Sequence, residues 1–309
     1  MKIVTLTLNP AFDIHCYTEN FQPYHENLAQ ITANDAGGKG VNISRALTVN
    51  GVENTALVVL GEENAESFRK SLTADHIPFR EITVTGRIRE NITLHTNNAP
   101  ETRISFAGFT ANDLLIDTVE AELNTLLEHG DILTFTGRNP DGVSLDRVKT
   151  MLIKLRDRGV KIVLDSRSFG KQDLIDVRPW LIKPNEEEIG MYTDIHVKDF
   201  SDAKAAAEAL RSTGIENVMI SLGAQGALLA CSAGCYTVQA PKIEALSTIG
   251  AGDSSIGGFC AAAMEGLDYP DMLCYAVSFG SAACMTEGTR PPKAEDVQKL
   301  LRQLDVVTL

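Results

Sequence analysis

Thr248-Ile-Gly-Ala-Gly-Asp-Ser-Ser-Ile-Gly-Gly-Phe259 is a glycine-rich turn that runs into Ser254 to Met264, a segment of small and apolar residues that reads as a helix. Gly250 and Gly252 permit a tight turn and let the backbone approach a ligand closely. The first N–H groups of a helix lack intrahelical partners and point outward. With the positive end of the helix dipole they make an anion site, here formed by Gly250, Ala251 and Gly252. Asp253 stands at its mouth. A carboxylate beside an anion site has a purpose if it takes the proton from a hydroxyl about to attack that anion. The expectation is phosphoryl transfer to a sugar hydroxyl with Asp253 as base. Its competitor, Asp253 as a mere helix cap, would prevail for an isolated G-A-G-D. It loses ground because other stretches agree with the catalytic reading.

Ala36-Gly-Gly-Lys-Gly-Val-Asn42 leads into a second expected helix, Ile43 to Val49. Its glycines allow close approach, Lys39 supplies a cation, and Asn42 falls in the first turn. The spacing is not that of a Walker A loop, because Lys39 is followed by Gly40 rather than Ser or Thr. An anion or sugar site is the better reading, since a lysine between glycines gains nothing in packing. Lys2 to Leu8 reads as a buried strand punctuated by Asn9-Pro10, with Asp13 just beyond its carboxyl end. That is where ligands bind in open α/β sheets. Arg87 to His95 and Thr102 to Phe106 flank Asn97-Asn-Ala-Pro-Glu101 and read as a hairpin. Arg87, Arg89 and Arg103 concentrate positive charge there. Such residues can be solvated edge charges; for Arg89 phosphate contact is favoured.

Helices and strands alternate along the chain. Strands are expected at Thr55–Leu60, Phe79–Val84, Ile132–Thr136, Val160–Asp165, Trp180–Lys183 and Val218–Leu222. Helices are expected at Ala65–Ala74, Leu114–Leu127, Val143–Asp157, Glu186–Ile189, Asp202–Ser212, Asp271–Cys284 and Ala294–Leu304. This alternation implies a mostly parallel sheet with helices on both faces. Leu228–Cys231 and Cys235–Val238 are expected to add antiparallel strands at its edge. No low-complexity linker divides the chain, so residues 1–309 read as one α/β domain. A small β appendage is drawn from about 15–35 and 88–106.

Net charge is −13 and hydrophobic residues make up 44%. The first argues against general nucleic-acid binding, so an anionic substrate needs a local cluster of cations. Six cysteines form no C-x-x-C, and no Cys/His set has zinc-ligand spacing. Free, partly buried cysteines suit a reduced, cytoplasmic setting. No run approaches a membrane span. The six histidines form no pair at ligand spacing and read as structural or surface groups.

Gly37-Gly-Lys-Gly-Val-Asn42 and Ser247-Thr-Ile-Gly-Ala-Gly-Asp-Ser-Ser-Ile-Gly-Gly258, in that order, resemble the paired signatures of the ribokinase-like PfkB carbohydrate kinases. The resemblance covers essentially the whole chain. Thr5-Leu-Thr-Leu-Asn-Pro-Ala-Phe-Asp13 and Lys183-Pro-Asn-Glu-Glu-Glu188 are similar to the branch holding 1-phosphofructokinase and tagatose-6-phosphate kinase, whose substrates already carry a phosphate. It implies a ribokinase-like sheet with a β lid that often mediates homodimerisation. It implies ATP and Mg²⁺, with Asp253 as base and residues 250–252 as anion hole. Asp13, Gly38 and Asn42 would bind the sugar, and Lys39 and Arg89, with Asn91 nearby, its phosphate. Asn185 and Glu188 would serve Mg²⁺ and phosphate positioning. Lys183, Asn185, Ser221, Gly223, Gly226 and Gly252 would contact the nucleotide. Where the branch commonly has Gly-Ser-Leu-Pro, this chain has Gly137-Arg-Asn-Pro140. Arg138 is thereby expected at the sugar-phosphate end. Fructose 1-phosphate is the implied substrate, with tagatose 6-phosphate or a catalytically silent sugar-phosphate sensor as alternatives. The helix N-terminus is expected to keep Asp253 ionised.

Overall fold

The apolar run Ile3–Thr7 is buried at every position, as a strand covered on both faces requires. It belongs to a computed structural model describing residues 1–309. In chain order the strands are β1 (Ile3–Thr7), β2 (Ala11–Thr18), β3 (Gln30–Gly37), β4 (Thr55–Gly61), β5 (Phe79–Val84), β6 (Arg89–Thr96), β7 (Thr102–Ser105), β8 (Ile132–Thr136), β9 (Lys161–Asp165), β10 (Leu181–Ile182), β11 (Asn217–Ser221), β12 (Ala227–Cys231), β13 (Gly234–Val238) and β14 (Val306–Thr308). The helices are α1 (Lys39–Val49), α2 (Ala65–Ala74), α3 (Leu114–Leu126), α4 (Leu145–Asp157), α5 (Lys171–Val177), α6 (Glu186–Thr193), α7 (Phe200–Arg211), α8 (Ala251–Met264), α9 (Tyr269–Cys284) and α10 (Ala294–Leu301).

Ten strands form one sheet in the order β14-β13-β12-β11-β10-β9-β8-β1-β4-β5. From β11 through β5 all neighbours are parallel, and β12, β13 and β14 extend the edge antiparallel. Side chains alternate between two cores. Val4 and Leu6 of β1 pack with Ile116 and Val119 of α3 and Leu152 and Leu155 of α4. Ile3 faces the other side, with Ile43 and Leu47 of α1 and Ile256 and Phe259 of α8. The glycine pair in the opening stretch serves this second core. A Cβ on Gly258 would lie 2.5 Å from the Tyr275 carbonyl oxygen, so α8 and α9 approach closely only with glycine there. The strand order reverses at β1, with β4 and β5 on one side and β8 on the other. Ligands bind in the crevice at the carboxyl ends of strands at such a point.

A second sheet has the order β3-β2-β6-β7. Its register aligns Asp13 with Asn91 and Asp35, and Asn91 with Ser105. Two residues along, His15 aligns with Thr93, and Thr93 with Arg103. Because side chains alternate, Asp13, His15, Asn91 and Arg103 share one face, and Ile14, Ile92 and Ile104 the other.

Some boundaries differ from expectation. Asp13 lies within β2 of the small sheet, not in a loop after β1. Helix α1 begins at Lys39 rather than Ile43, because Gly38 takes φ 120° at the N-cap; four of its residues precede the apolar periodicity. The expected strand Trp180–Lys183 pairs only at Leu181–Ile182, and the last helix ends at Leu301, short of Leu304. α5 and β14, seven and three residues long, are too short to show a period in sequence.

Candidate active site

A cleft of about 900 Å³ opens between the carboxyl ends of the large sheet and the polar face of the small one. The N-termini of α1 and α8 both meet it. Gly250 is the N-cap of α8 at φ 79°, a left-handed conformation in which a side chain would be strained. The helix-cap reading of Asp253 fails on geometry: its carboxylate bonds to the side chain of Asn42, Nδ2 donating to Oδ2 at 3.0 Å. The two signatures thus meet across the cleft, 211 residues apart in sequence. Burial pushes the Asp253 carboxyl up to about 6, against the opposing pull of Lys39 and the Asn42 hydrogen bond. The expected effect of the helix terminus is therefore overridden by desolvation, which position in a helix does not reveal.

Positive groups fall into two sets. Lys39 Nζ donates to Asp165 Oδ2 at 2.9 Å. Burial works to lower the Lys39 ammonium, but Asp165, Asp253 and Glu188 outweigh it and hold it above the usual lysine value. Asp165 is likewise held low: burial acts to raise it, but Lys183 and Lys39 prevail. Lys183 is buried, and its Nζ lies 3.0 Å from where a Cβ on Gly252 would sit. A cation thus abuts Gly252 in the first turn of α8, beside the anion site.

The second set is arginine. Arg89 reaches the Asn91 side chain and the Asn9 carbonyl only at 3.4 Å, and its buried Nε has no partner. Burial and then repulsion from Arg138 lower its guanidinium, with Asp13 opposing. Asn91 Nδ2 donates to Asp13 Oδ1 at 2.9 Å, fixing that carboxylate beside the arginines. Arg138 and Arg103 line the same cleft. The loops after β1 and β8 are tied together by Asn9 Nδ2 donating to the Asn139 carbonyl at 3.2 Å.

A neighbouring groove of about 800 Å³ is lined by Ser221, Gly223 and Gly226, and it shares Asn185 and Gly252 with the cleft. Two chambers therefore meet at the start of α8, an arrangement suited to a donor and an acceptor that exchange a group there. The Asn185-x-x-Glu188 spacing is also a capping box for α6. Asn185 Oδ1 accepts from Glu188 N at 2.8 Å, and Glu188 Oε2 from Asn185 N at 3.1 Å. Arg167 Nε donates to Glu188 Oε1 at 2.9 Å. Each carboxylate oxygen keeps a free lone pair, so Glu188 fits a supporting role toward Mg²⁺ held mainly by water and nucleotide oxygens. A third cavity, of about 600 Å³ and lined by Lys2, Thr48 and Asn54 among others, lies at the opposite, amino-terminal ends of β1 and β4 and gathers no comparable charge.

The structure brings Asp13, Gly38, Lys39, Asn42, Arg89, Asn91, Arg138, Lys183, Asn185, Glu188, Gly250, Gly252 and Asp253 into the cleft. Ala251, Ser221, Gly223 and Gly226 face the adjoining groove. Lys39 and Arg89 have different neighbours: Lys39 belongs with Asp165 and Asp253, Arg89 with Arg138 and Asp13. Sequence reasoning missed Asp165 and Arg167, which line the cleft; it also did not foresee that His15 Nδ1 and His95 Nε2 meet at 3.0 Å across the small sheet. Asp165 ends β9 at its carboxyl side, and that position was the available signal.

Transfer of an anionic group from one chamber to the other across the start of α8 is the chemistry that this geometry suits. The chain belongs to the pfkB family of carbohydrate kinases, whose model matches residues 6–296. It is 29% identical over 308 residues to 1-phosphofructokinase of Vibrio cholerae, covering 100% of this chain and 97% of that protein. It is 32% identical over 257 residues to 1-phosphofructokinase of Escherichia coli K12, covering 83% and 82%. The structure of phosphofructokinase-2 from Escherichia coli in complex with substrates and products superposes with TM-score 0.90 at 27% identity, over 98% of this chain and 99% of that one. The chain is accordingly a sugar phosphotransferase.

Proposed function

We propose that this kinase transfers the γ-phosphoryl group of ATP to a free primary hydroxyl of fructose 1-phosphate, giving fructose 1,6-bisphosphate. The observation that carries this reading is the opposition of Arg89 and Arg138 to Asp253 within one cleft. An unphosphorylated sugar gives two mutually repelling guanidiniums nothing to bind, whereas a phosphate dianion meets both. The curated relatives named 1-phosphofructokinase support this reading; one named 6-phosphofructokinase isozyme 2, 28% identical over 307 residues, makes fructose 6-phosphate the competing substrate.

In this reading Asp13, fixed by Asn91, orients the sugar hydroxyls. Asp253 accepts the proton of the attacking hydroxyl as its bond to phosphorus forms. The N–H groups at the start of α8, with Lys183, offset charge on the transferring group, and positioning supplies most of the acceleration. Lys39, paired with Asp165, contributes its field at this end of the cleft. Mg²⁺ bound with the nucleotide, near Asn185 and Glu188, would neutralise phosphate charge. The small sheet acts as a lid that excludes water. Its outer face, with Ile31 68% and Ile104 48% exposed, is the surface for a homodimer contact; a monomer by sedimentation at assay concentrations would remove that contact. No helix is long and apolar enough to cross a membrane, and free cysteines accord with a cytoplasmic site of action.

A coupled ADP-release assay over fructose 1-phosphate, fructose 6-phosphate, tagatose 6-phosphate and fructose tests the assignment. The highest kcat/KM is expected with fructose 1-phosphate; a preference for fructose would sink it. The pH profile provides a second test. Asp253 works as a base only when ionised, and its carboxyl is pushed up to about 6. Hence kcat/KM is expected to be level above that pH and to fall about tenfold per pH unit below it. A profile flat down to pH ~4.5 would mean that no raised carboxylate takes part.

A further inference from the structure

Asp165 ends β9, and the chain then turns through Ser166 to Phe169. Both flanks of that turn are anchored. Ser166 Oγ donates to the Gly137 carbonyl at 2.5 Å, and Phe169 is buried edge-on against Phe135, their ring centroids 5.7 Å apart. The backbone of Arg167 is thereby held, while its side chain, 69% exposed, lines the cleft. The guanidinium makes a single hydrogen bond, from Nε to Glu188 Oε1 at 2.9 Å, and the N–H groups of Nη1 and Nη2 stay free. A structural pair elsewhere in this fold looks different. Arg69 grips Glu81 with both prongs, Nε to Oε2 at 2.7 Å and Nη2 to Oε1 at 2.8 Å. Glu188 does not offer that fork, because its Oε2 already accepts from Asn185 N. The Arg167–Glu188 contact is thus one-pronged and readily exchanged. Its unused donors have the planar, paired geometry that matches phosphate. Asn185 lines both chambers, whereas Arg167 lines only the cleft. A nucleotide seated in the groove therefore presents to Arg167 the far end of its phosphate chain, not its nucleoside.

We propose that Arg167 is a further phosphate-binding residue, one that leaves Glu188 to hold the terminal phosphates of the nucleotide. In the free protein it covers Glu188 Oε1. A divalent ion using that same oxygen would stand beside the guanidinium, and like charges that close repel. Phosphate oxygens give Arg167 a second anionic partner, so it moves to them and leaves Glu188 Oε1 to the metal. Lys39 is tied to Asp165 and Lys183 is buried, so Arg167 is the cation at this end of the cleft with freedom to move. One side chain thereby masks the carboxylate before the nucleotide binds and grips the transferring end afterwards.

This role presupposes the ATP and Mg²⁺ proposed above, and two measurements keep them apart. The first is the calorimetric Kd of ATP with Mg²⁺. It is expected to rise about two- to fivefold in Arg167→Ala, the range for a solvent-screened ion pair. The Kd of AMP is expected to stay the same, since AMP lacks the phosphates reached from the cleft, and this also shows that the variant is folded. An arginine that only braces Glu188 gives the opposite sign, because its removal opens the carboxylate to the metal and tightens ATP. An unchanged or lower Kd for ATP, or an equal rise for AMP, therefore overturns the phosphate contact while leaving the kinase reading intact. No ATP binding to the wild type removes the nucleotide reading and this role with it. The second measurement is the Kd of Mn²⁺, an oxygen-seeking stand-in for Mg²⁺, for the protein without nucleotide, followed by electron paramagnetic resonance. Arg167→Ala is expected to bind Mn²⁺ about two- to fivefold more tightly than wild type, and the gain to vanish when Glu188→Gln is added. Equal Mn²⁺ affinity in wild type and Arg167→Ala, or a gain that survives Glu188→Gln, overturns the masking of Glu188.

Discussion

Asp253→Asn is expected to lower kcat at least about 100-fold, the scale on which a positioned general base acts, with little change in either KM. The substitution keeps the shape of the side chain, and its amide oxygen can still accept from Asn42 Nδ2, as Asp253 Oδ2 does at 3.0 Å. Only the proton acceptor is lost. Stability moves the other way or not at all. Burial raises the Asp253 carboxyl to about 6, so its ionised form is disfavoured by folding at neutral pH. A neutral amide removes that cost, offset by what Lys39 loses in an anionic neighbour. The variant should therefore melt at or above the wild-type temperature while turning over slowly. A binding role would give the opposite kinetic pattern, a raised sugar KM with kcat preserved. Turnover within about tenfold of wild type would end the base assignment, because it leaves too little for proton transfer to contribute.

How much of this was legible beforehand depends on the range of the interaction. Gly250 could be read because a left-handed turn leading into a helix demands glycine, and it has φ 79°. β1 could be read because a strand covered on both faces needs five buried residues in a row. Lys39 was legible as a cation between glycines but not as the partner of Asp165, 126 residues away. Asn185 and Glu188 carried two meanings at one spacing, a capping box and a phosphate-side position, and the structure displays the first. The elevated Asp253 carboxyl was read in the wrong direction, since a helix dipole is local information and burial is not. The His15–His95 contact depends on the register of two strands whose polar composition gave only a weak sign that they exist.

The arginine end of the cleft should dominate sugar affinity. Arg89 is half-buried with no partner for Nε and makes only long contacts, at 3.4 Å. Its donors are thus desolvated but poorly satisfied in the free protein, a preparation for ligand oxygens rather than a structural bond. Charge-assisted hydrogen bonds contribute about 1.5–3 kcal/mol, so Arg89→Ala should raise the sugar-phosphate KM roughly 10- to 150-fold and leave the ATP KM within about twofold. Arg138 is exposed, and solvent screens it, so Arg138→Ala should cost only about two- to fivefold. The two effects should not add. Arg138 repels Arg89 in the empty cleft, and a bound dianion turns that repulsion into shared attraction, so the double variant reveals a coupling term. Ionic strength supplies an independent check: raising salt should increase the wild-type sugar KM more than that of the double variant. If Arg89→Ala instead raised the ATP KM and spared the sugar, the two chambers would have to be exchanged. The resident phosphate would then lie at the glycine-lined groove, and the direction of transfer across Gly252 would be reversed.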